Sequence, residues 1–317
     1  MRKGAEVLVI GAGVVGLSTA IRLIEDGMNV VILTAQLPQD TTSTLATAMV
    51  GPTFAPPGSR IRLWEEETLR EVSAAQDLDV GVHLCQGRFA SRYVGLLPPE
   101  VDKLPGFRYC SEQELPDGFQ SGFWAEAPLI NMPFYLDYLM DRFLSTGGTI
   151  EFRIVDSLSE AASLSPLVVN CSGLGARNLV PDREVVPMRG PKIIVANPGI
   201  DTFFMEGPPT EEWTCIHPHG DFVVLGGSSR SSTDSVPNSE EASSILARCA
   251  LVEPRLADAE IIDHRVGLRP GRSAVRLDRE VVDGSTIVHN YGHGGVGVTL
   301  SWGCARDAVA LLDPTTT

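Results

Sequence analysis

The sequence predicts an α/β protein in which a doubly wound, mostly parallel sheet, assembled from separated stretches of chain, is interleaved with a mixed or antiparallel sheet. Three observations predict it. Residues 6–10 form a short apolar run that passes directly into Gly11-Ala12-Gly13-Val14-Val15-Gly16, and apolar residues then recur at helical spacing over 14–26. Further short runs at 30–33 and 167–170 read as buried strands, and 285–289 as a final strand. Between about 189 and 265 the pattern alternates instead, with runs at 193–196 and 222–225 broken by proline-rich and glycine-rich turns, as an antiparallel sheet would be.

In chain order, the strand at 6–10, the helix at 14–26 and the strand at 30–33 make a β-α-β unit. From 51 to about 147 prolines and aromatics increase, as in an insertion, and a helix is expected over 61–75. An amphipathic helix over 133–144 is stopped by Gly147-Gly148, ahead of a strand over 149–154. The run 167–170 leads into Cys171-Ser172-Gly173, returning the chain to the first sheet, and a helix over 295–312 closes it. The expected division is a discontinuous nucleotide-binding part (1–50, 145–188 and 266–317) and a substrate-binding part (51–144 and 189–265).

With 317 residues and 43% hydrophobic content the chain can bury two packed units. A formal charge of −15 argues against nucleic acid or an anionic bilayer as partner, since both would repel it. The apolar runs are far shorter than the roughly 20 residues of a membrane span. Arg2-Lys3 leads straight into a strand without a cleavable signal, and Thr315-Thr316-Thr317 is not a peroxisomal tripeptide, so a cytoplasmic protein is expected. Six cysteines without a C-x-x-C pair suggest free thiols rather than a metal site or dithiol.

The first glycine trio has a physical purpose: Gly11 permits a tight turn, Gly13 lets the backbone approach a pyrophosphate, and Gly16 allows close helix-to-sheet packing, with the helix N-terminus facing the phosphates. This is a Rossmann-like dinucleotide site, and by itself it does not separate NAD from FAD. The acidic residue that usually ends the second strand is missing, because the chain reads Leu33-Thr34-Ala35-Gln36. Ribose contacts are expected from Thr34, Gln36 or backbone.

The segment Ile287-Val288-His289-Asn290-Tyr291-Gly292-His293-Gly294-Gly295-Val296-Gly297, continuing through Val298 and Thr299 to Trp302-Gly303-Cys304-Ala305, packs glycines into a strand-to-helix junction where backbone can lie against a flat ligand. It closely resembles the signature of the D-amino-acid oxidase and D-aspartate oxidase family of FAD proteins, in its bacterial form. Thr41-Thr42-Ser43, Asn170-Cys171-Ser172-Gly173, Arg189-Gly190, Gly267-Leu268-Arg269-Pro270 and Val275-Arg276-Leu277-Asp278 resemble further family blocks in the same order.

The resemblance implies FAD lying along Gly11 to Val15, Thr34, Thr41 to Ser43, Ser172, Gly173 and the loop from Gly294 to Thr299. It also implies that Arg269 holds the substrate carboxylate through two parallel bonds and contacts the flavin, while the Gly295 carbonyl accepts from the substrate amine. The implied reaction is oxidative deamination of a D-amino acid with oxygen as acceptor, giving an imino or keto acid, ammonia and hydrogen peroxide. Positioning carries such chemistry, so His289 and His293 read as parts of a binding loop rather than as bases.

Two alternatives remain open: a secondary-amine or glycine-type oxidase, and a flavin-binding protein without turnover. A homodimer is a further expectation. Where the family carries a tyrosine before an apolar-proline turn, this chain has Cys215, and the 206–212 loop lacks the second tyrosine. Cys215 therefore stands in the catalytic set in the tyrosine's place. Glu206, Glu211 and Glu212 would suit a cationic substrate side chain, whereas His217 and His219 would suit an acidic one.

Overall fold

The computed structural model describes residues 6–313; the expectations for Arg2-Lys3 and for Thr315-Thr316-Thr317 lie outside them. The β-α-β opening consists of β1 (Glu6–Ile10), α1 (Val14–Glu25) and β2 (Asn29–Thr34), with the strands parallel from Glu6↔Asn29 to Ile10↔Leu33. Next come β3 (Ala48–Met49), α2 (Arg60–Ala75), β4 (Val82–Ser91), β5 (Arg108–Tyr109), β6 (Ser121–Ile130) and α3 (Met132–Ser145). The middle of the chain gives β7 (Thr149–Phe152), α4 (Leu158–Leu164), β8 (Leu167–Asn170), α5 (Ala176–Leu179), β9 (Val186–Ala196), β10 (Phe203–Glu206), β11 (Glu212–His219), β12 (Phe222–Ser228) and β13 (Arg230–Ser231). It ends with α6 (Ser239–Val252), β14 (Ile261–Gly271), β15 (Arg276–Val282), β16 (Ser285–Tyr291) and α7 (Gly297–Leu312).

The first sheet has the order β15-β16-β8-β1-β2-β7, parallel except for the β15–β16 hairpin. Its central strands β1 and β8 are mostly apolar because both faces are covered, while the edge strands β7 and β15 carry polar and charged residues. Val7, Val9, Ile32 and Val288 pack into the core shared with α1, α3 and α7, while Leu8, Ile10, Leu33 and Ile287 pack into the core under α4. The hairpin turns on Asp283 (φ 49°) and Gly284 (φ 84°), the pair of positive φ values that a two-residue turn of this hand requires.

The second sheet runs β13-β9-β12-β11-β10-β4-β6-β3, with β14 added on β9 and β5 on β6. It is mixed, because β10 and β4 pair parallel and their neighbours antiparallel. One face is covered by α6, where Ile245 and Cys249 meet Ile193, Ile216 and Leu225. The sequence boundary expected at 265/266 falls inside β14, and α2 lies on α7: a Cβ at Gly303 would be 2.1 Å from the Trp64 Cα. The expected strand over 149–154 ends at Phe152, and Arg153 to Asp156 turn instead toward the cavity described below.

Gly16 fixes how α1 meets β1. A Cβ there would lie 1.9 Å from the Gly11 carbonyl oxygen, a backbone atom with no freedom to retreat. We expect Gly16→Ala to lower folding stability by about 1–3 kcal/mol; urea denaturation measures it, and an unchanged midpoint would show that the turn can relax.

Candidate active site

The carboxyl ends of β1, β2, β8 and β16 open on one edge of the first sheet, where a doubly wound sheet places its ligand. An elongated cavity of about 580 Å³ follows this edge and reaches the second sheet at Gly190, Gly267 and Arg269. Its walls include Gly11, Ala12, Gly13, Val14, Val15, Thr34, Thr41, Thr42, Ser43, Ser172, Gly173, Arg269, Gly294, Gly295, Gly297 and Val298. The structure thus brings most of the sequence-predicted residues together from six separated stretches of chain.

At the entry to α1 the first-turn amides face the cavity, and Ser43 Oγ accepts from the Val14 N–H at 3.0 Å, a cap supplied from another part of the chain. Thr34 donates its hydroxyl to the Gln36 carbonyl at 2.8 Å, so the strand end is tied into its own turn. The loop after β8 is held by a chain of side chains reaching the surface. Asn170 Oδ1 accepts from the Ser172 N–H at 3.1 Å, and its Nδ2 donates to His289 Nδ1 at 3.2 Å. His289 therefore carries its proton on Nε2, which donates to Glu280 at 2.5 Å. Burial lowers the His289 pKa, and Glu280 opposes that shift.

These walls fit FAD on their own terms. Ser172 Oγ, Asn290 Oδ1 and His293 Nε2 are buried with no hydrogen-bond partner, and all three residues line the cavity. Buried polar atoms are ordinarily paired, so an elongated polar ligand beside a capped helix N-terminus answers all three. Burial alone pushes His293 down to about 4, leaving it a neutral hydrogen-bonding group.

At the far end, the Arg269 guanidinium rests on the bare backbone of Gly190, where a Cβ would be 2.1 Å from its Cζ. Its Nη1 donates to the Ser228 carbonyl at 2.8 Å, and a Cβ on Gly295 would be 3.6 Å from its Cδ. Burial lowers the Arg269 pKa, with only the Cys215 thiol opposing that shift. A guanidinium of this kind, with no carboxylate partner among the described residues, is poised to take one.

Four predicted residues are not on the wall. Gly16 packs behind the Gly11 turn; Val296 is 40% exposed at the end of the 3-10 turn Gly294–Val296; and Thr299 faces β3, donating to the Met49 carbonyl at 3.3 Å. Cys215 is buried on β11 opposite Gly226 of β12, where a Cβ on Gly226 would be 3.0 Å from its sulfur, and burial pushes its thiol up to about 12. The sequence reading did not single out Trp213, whose ring centre lies 5.6 Å from Arg269 Cζ, nor Ala46 and Arg153 on the cavity wall. None of these carries a local signal, since each contact joins segments distant in sequence.

A nucleotide-length cleft on a doubly wound sheet, ending at a buried arginine presented by a second sheet, defines an oxidoreductase of the flavin-binding kind. The chain belongs to the DAO family: the family model described as "FAD dependent oxidoreductase" matches residues 6–311. It is 45% identical to the D-amino-acid oxidase of Rubrobacter xylanophilus, covering 97% of this chain and 95% of that protein. It is 41% identical to the D-amino-acid oxidase of Streptomyces coelicolor (98% and 97%) and 36% identical to the D-aspartate oxidase of Homo sapiens (97% and 94%). The glycine oxidase of Geobacillus kaustophilus shares the fold at a TM-score of 0.78 and 17% identity, covering 98% of this chain and 95% of that one. Among the described residues no helix is long and apolar enough to cross a membrane, and no cluster of three or more His, Cys, Asp or Glu could hold a metal.

Burial also pushes His217 down to about 4 and His219 to about 3. With His293, these rings stay neutral in the folded chain while the unfolded chain takes up protons below about 6.5. Protons therefore favour unfolding, and stability falls as pH drops from about 6.5 toward about 4, levelling off below the folded values. The urea midpoint should fall between pH 7 and pH 5, and less so in His217→Asn; equal falls in both proteins would show that His217 does not contribute.

Proposed function

We propose that the chain catalyses the oxidative deamination of a D-amino acid, yielding the imino acid, which water converts to the keto acid and ammonia, with oxygen reduced to hydrogen peroxide. The observation that carries this reading is Arg269: a buried guanidinium at the end of the cofactor cleft, held by one carbonyl and open to a carboxylate. The D-amino-acid oxidases at 45% and 41% identity support the same substrate class over the glycine-type alternative, whose support is a shared fold at 17% identity.

In this reading, residues 6–50, 145–188 and 266–313 chiefly hold the cofactor and the remainder roofs the substrate. FAD held by Gly11 to Val15, Thr41 to Ser43 and the Gly294 loop would supply the two-electron acceptor and its reoxidation by oxygen. Arg269 binds the α-carboxylate through charge-assisted bonds, which Ser228 helps orient by fixing one guanidinium nitrogen. The Gly295 carbonyl, beside the Arg269 stem, accepts from the substrate amine, so that two anchors on adjacent elements set the α-carbon. Neither His289, bound at both nitrogens, nor His293, neutral and on the cofactor side, acts as a base. Cys215 serves as packing behind Trp213. Six free thiols suit a reducing compartment such as the cytoplasm.

Anaerobic mixing of the FAD-loaded protein with D- and L-amino acids tests the reading: a D-amino acid should bleach the oxidised flavin, and bleaching by L-amino acids or glycine alone would overturn it. Arg269→Ala should stay yellow and folded yet lose about 3 kcal/mol in kcat/KM, roughly a hundredfold. Reduction as fast as in the unsubstituted protein would remove Arg269 from the site.

A further inference from the structure

Arg269, on the cavity wall, is held on more sides than its one hydrogen bond accounts for. Its Nη1 donates to the Ser228 carbonyl, and a Cβ on Gly190 would lie 2.1 Å from Cζ and Nη1 and 2.3 Å from Nη2, so the guanidinium rests on bare backbone. Nε and Nη2, which form one edge of the fork, donate to no acceptor among the described residues. The Trp213 ring centre stands 5.6 Å from Cζ, within the range where an aromatic face attracts a cation. Ring and backbone thus restrain the group without occupying the edge that a carboxylate needs.

Trp213 reaches this place through a β-bulge. Glu212 pairs with Ser228 and Cys215 with Gly226, so Trp213 and Thr214 of β11 together face Gly227 of β12. A bulge of this kind bends the strand and re-aims a side chain. The extra residue is provided for, because the Thr214 N–H donates to Glu206 Oε2 at 2.8 Å. Gly227 makes room for the ring: a Cβ there would be 2.7 Å from Cε2 and Cζ2 of the indole.

Arg248 of α6 fastens the bulge. Its Nε donates to the Trp213 carbonyl at 3.2 Å and its Nη2 to the Gly227 carbonyl at 3.0 Å, while its Nη1 meets Glu212 at 3.3 Å. One side chain therefore ties the residue that carries the ring to the residue beneath it. The indole Nε1 is buried without a hydrogen-bond partner, and the Cys215 thiol is the weak polar group that it reaches. The ring is also absent from the apolar core that α6 forms with β9, β11 and β12. Neither the polar edge of the indole nor core packing accounts for its position, which leaves the contact with Arg269.

We propose that Trp213, seated by Arg248, is a positioning residue for Arg269: its ring fixes the guanidinium so that Nε and Nη2 meet the substrate α-carboxylate together. The proposal rests on the reading of Arg269 as the carboxylate anchor and deepens it.

Butyrate, a carboxylate without an amine, tests it on the FAD-loaded protein by its perturbation of the flavin spectrum, alongside steady-state rates with the D-amino acid that reduces the flavin fastest. Trp213→Ala should weaken butyrate binding and raise KM by about tenfold each, while kcat and FAD affinity change less than about threefold. Trp213→Phe, which keeps a ring face and drops the unused N–H, should stay within about threefold of the unsubstituted protein on every measure. Arg248→Gln should weaken butyrate binding by about threefold or more at unchanged FAD affinity, and it decides the matter should Trp213→Ala fail to fold. Unchanged butyrate binding in Trp213→Ala or Arg248→Gln, a parallel loss of FAD affinity, or a Trp213→Phe protein as impaired as Trp213→Ala overturns the proposal. Butyrate binding that survives Arg269→Ala overturns the anchor reading as well.

Discussion

Unfilled hydrogen-bonding capacity at the carboxyl edge of the parallel sheet is the constraint on which the rest of the structure depends. Burying β1, β2, β8 and β16 on both faces stabilises the sheet but strands polar groups where the chain leaves it. Ser172 Oγ, Asn290 Oδ1 and His293 Nε2 have no partner there. The protein answers part of the demand itself: Ser43 caps α1 from a distant loop, and the Glu280–His289–Asn170 chain pins the Ser172 amide. What remains unmet has the shape and polarity of a dinucleotide.

The same logic, applied to charge, organises the second sheet. Gly190 lacks a side chain so that Arg269 can lie flat on β9, and Ser228 on β12 fixes one of its nitrogens. Three strands distant in sequence therefore determine where one guanidinium sits. A free side chain of that length would lose considerable rotamer entropy on binding a carboxylate. Here that loss is incurred during folding, and substrate meets a group already in place.

The features legible in the sequence are those written locally. The Gly11, Gly13 and Gly16 spacing, the apolar runs and the helices α1, α2, α3 and α7 are each specified within a few residues, and the ordered family blocks pointed to Arg269, which lies on the cavity wall. What escaped depends on pairing across the second sheet: that Trp213 would stand beside Arg269 and that the Ser228 carbonyl would hold its guanidinium. Val296 and Thr299 lie off the cavity wall because the loop tightens into a 3-10 turn before α7, so neighbouring residues point in different directions. Strand register sets these facts, and no short motif encodes it.

The cofactor cleft also sits where the chain's beginning, middle and end converge. Residues from β1, from the loop after β8 and from the turn before α7 all touch one elongated space, so whatever fills it fastens three remote stretches of polypeptide at once. Such a ligand acts as a clasp. The abundance of the folded protein in a cell is then tied by mass action to the supply of flavin nucleotide.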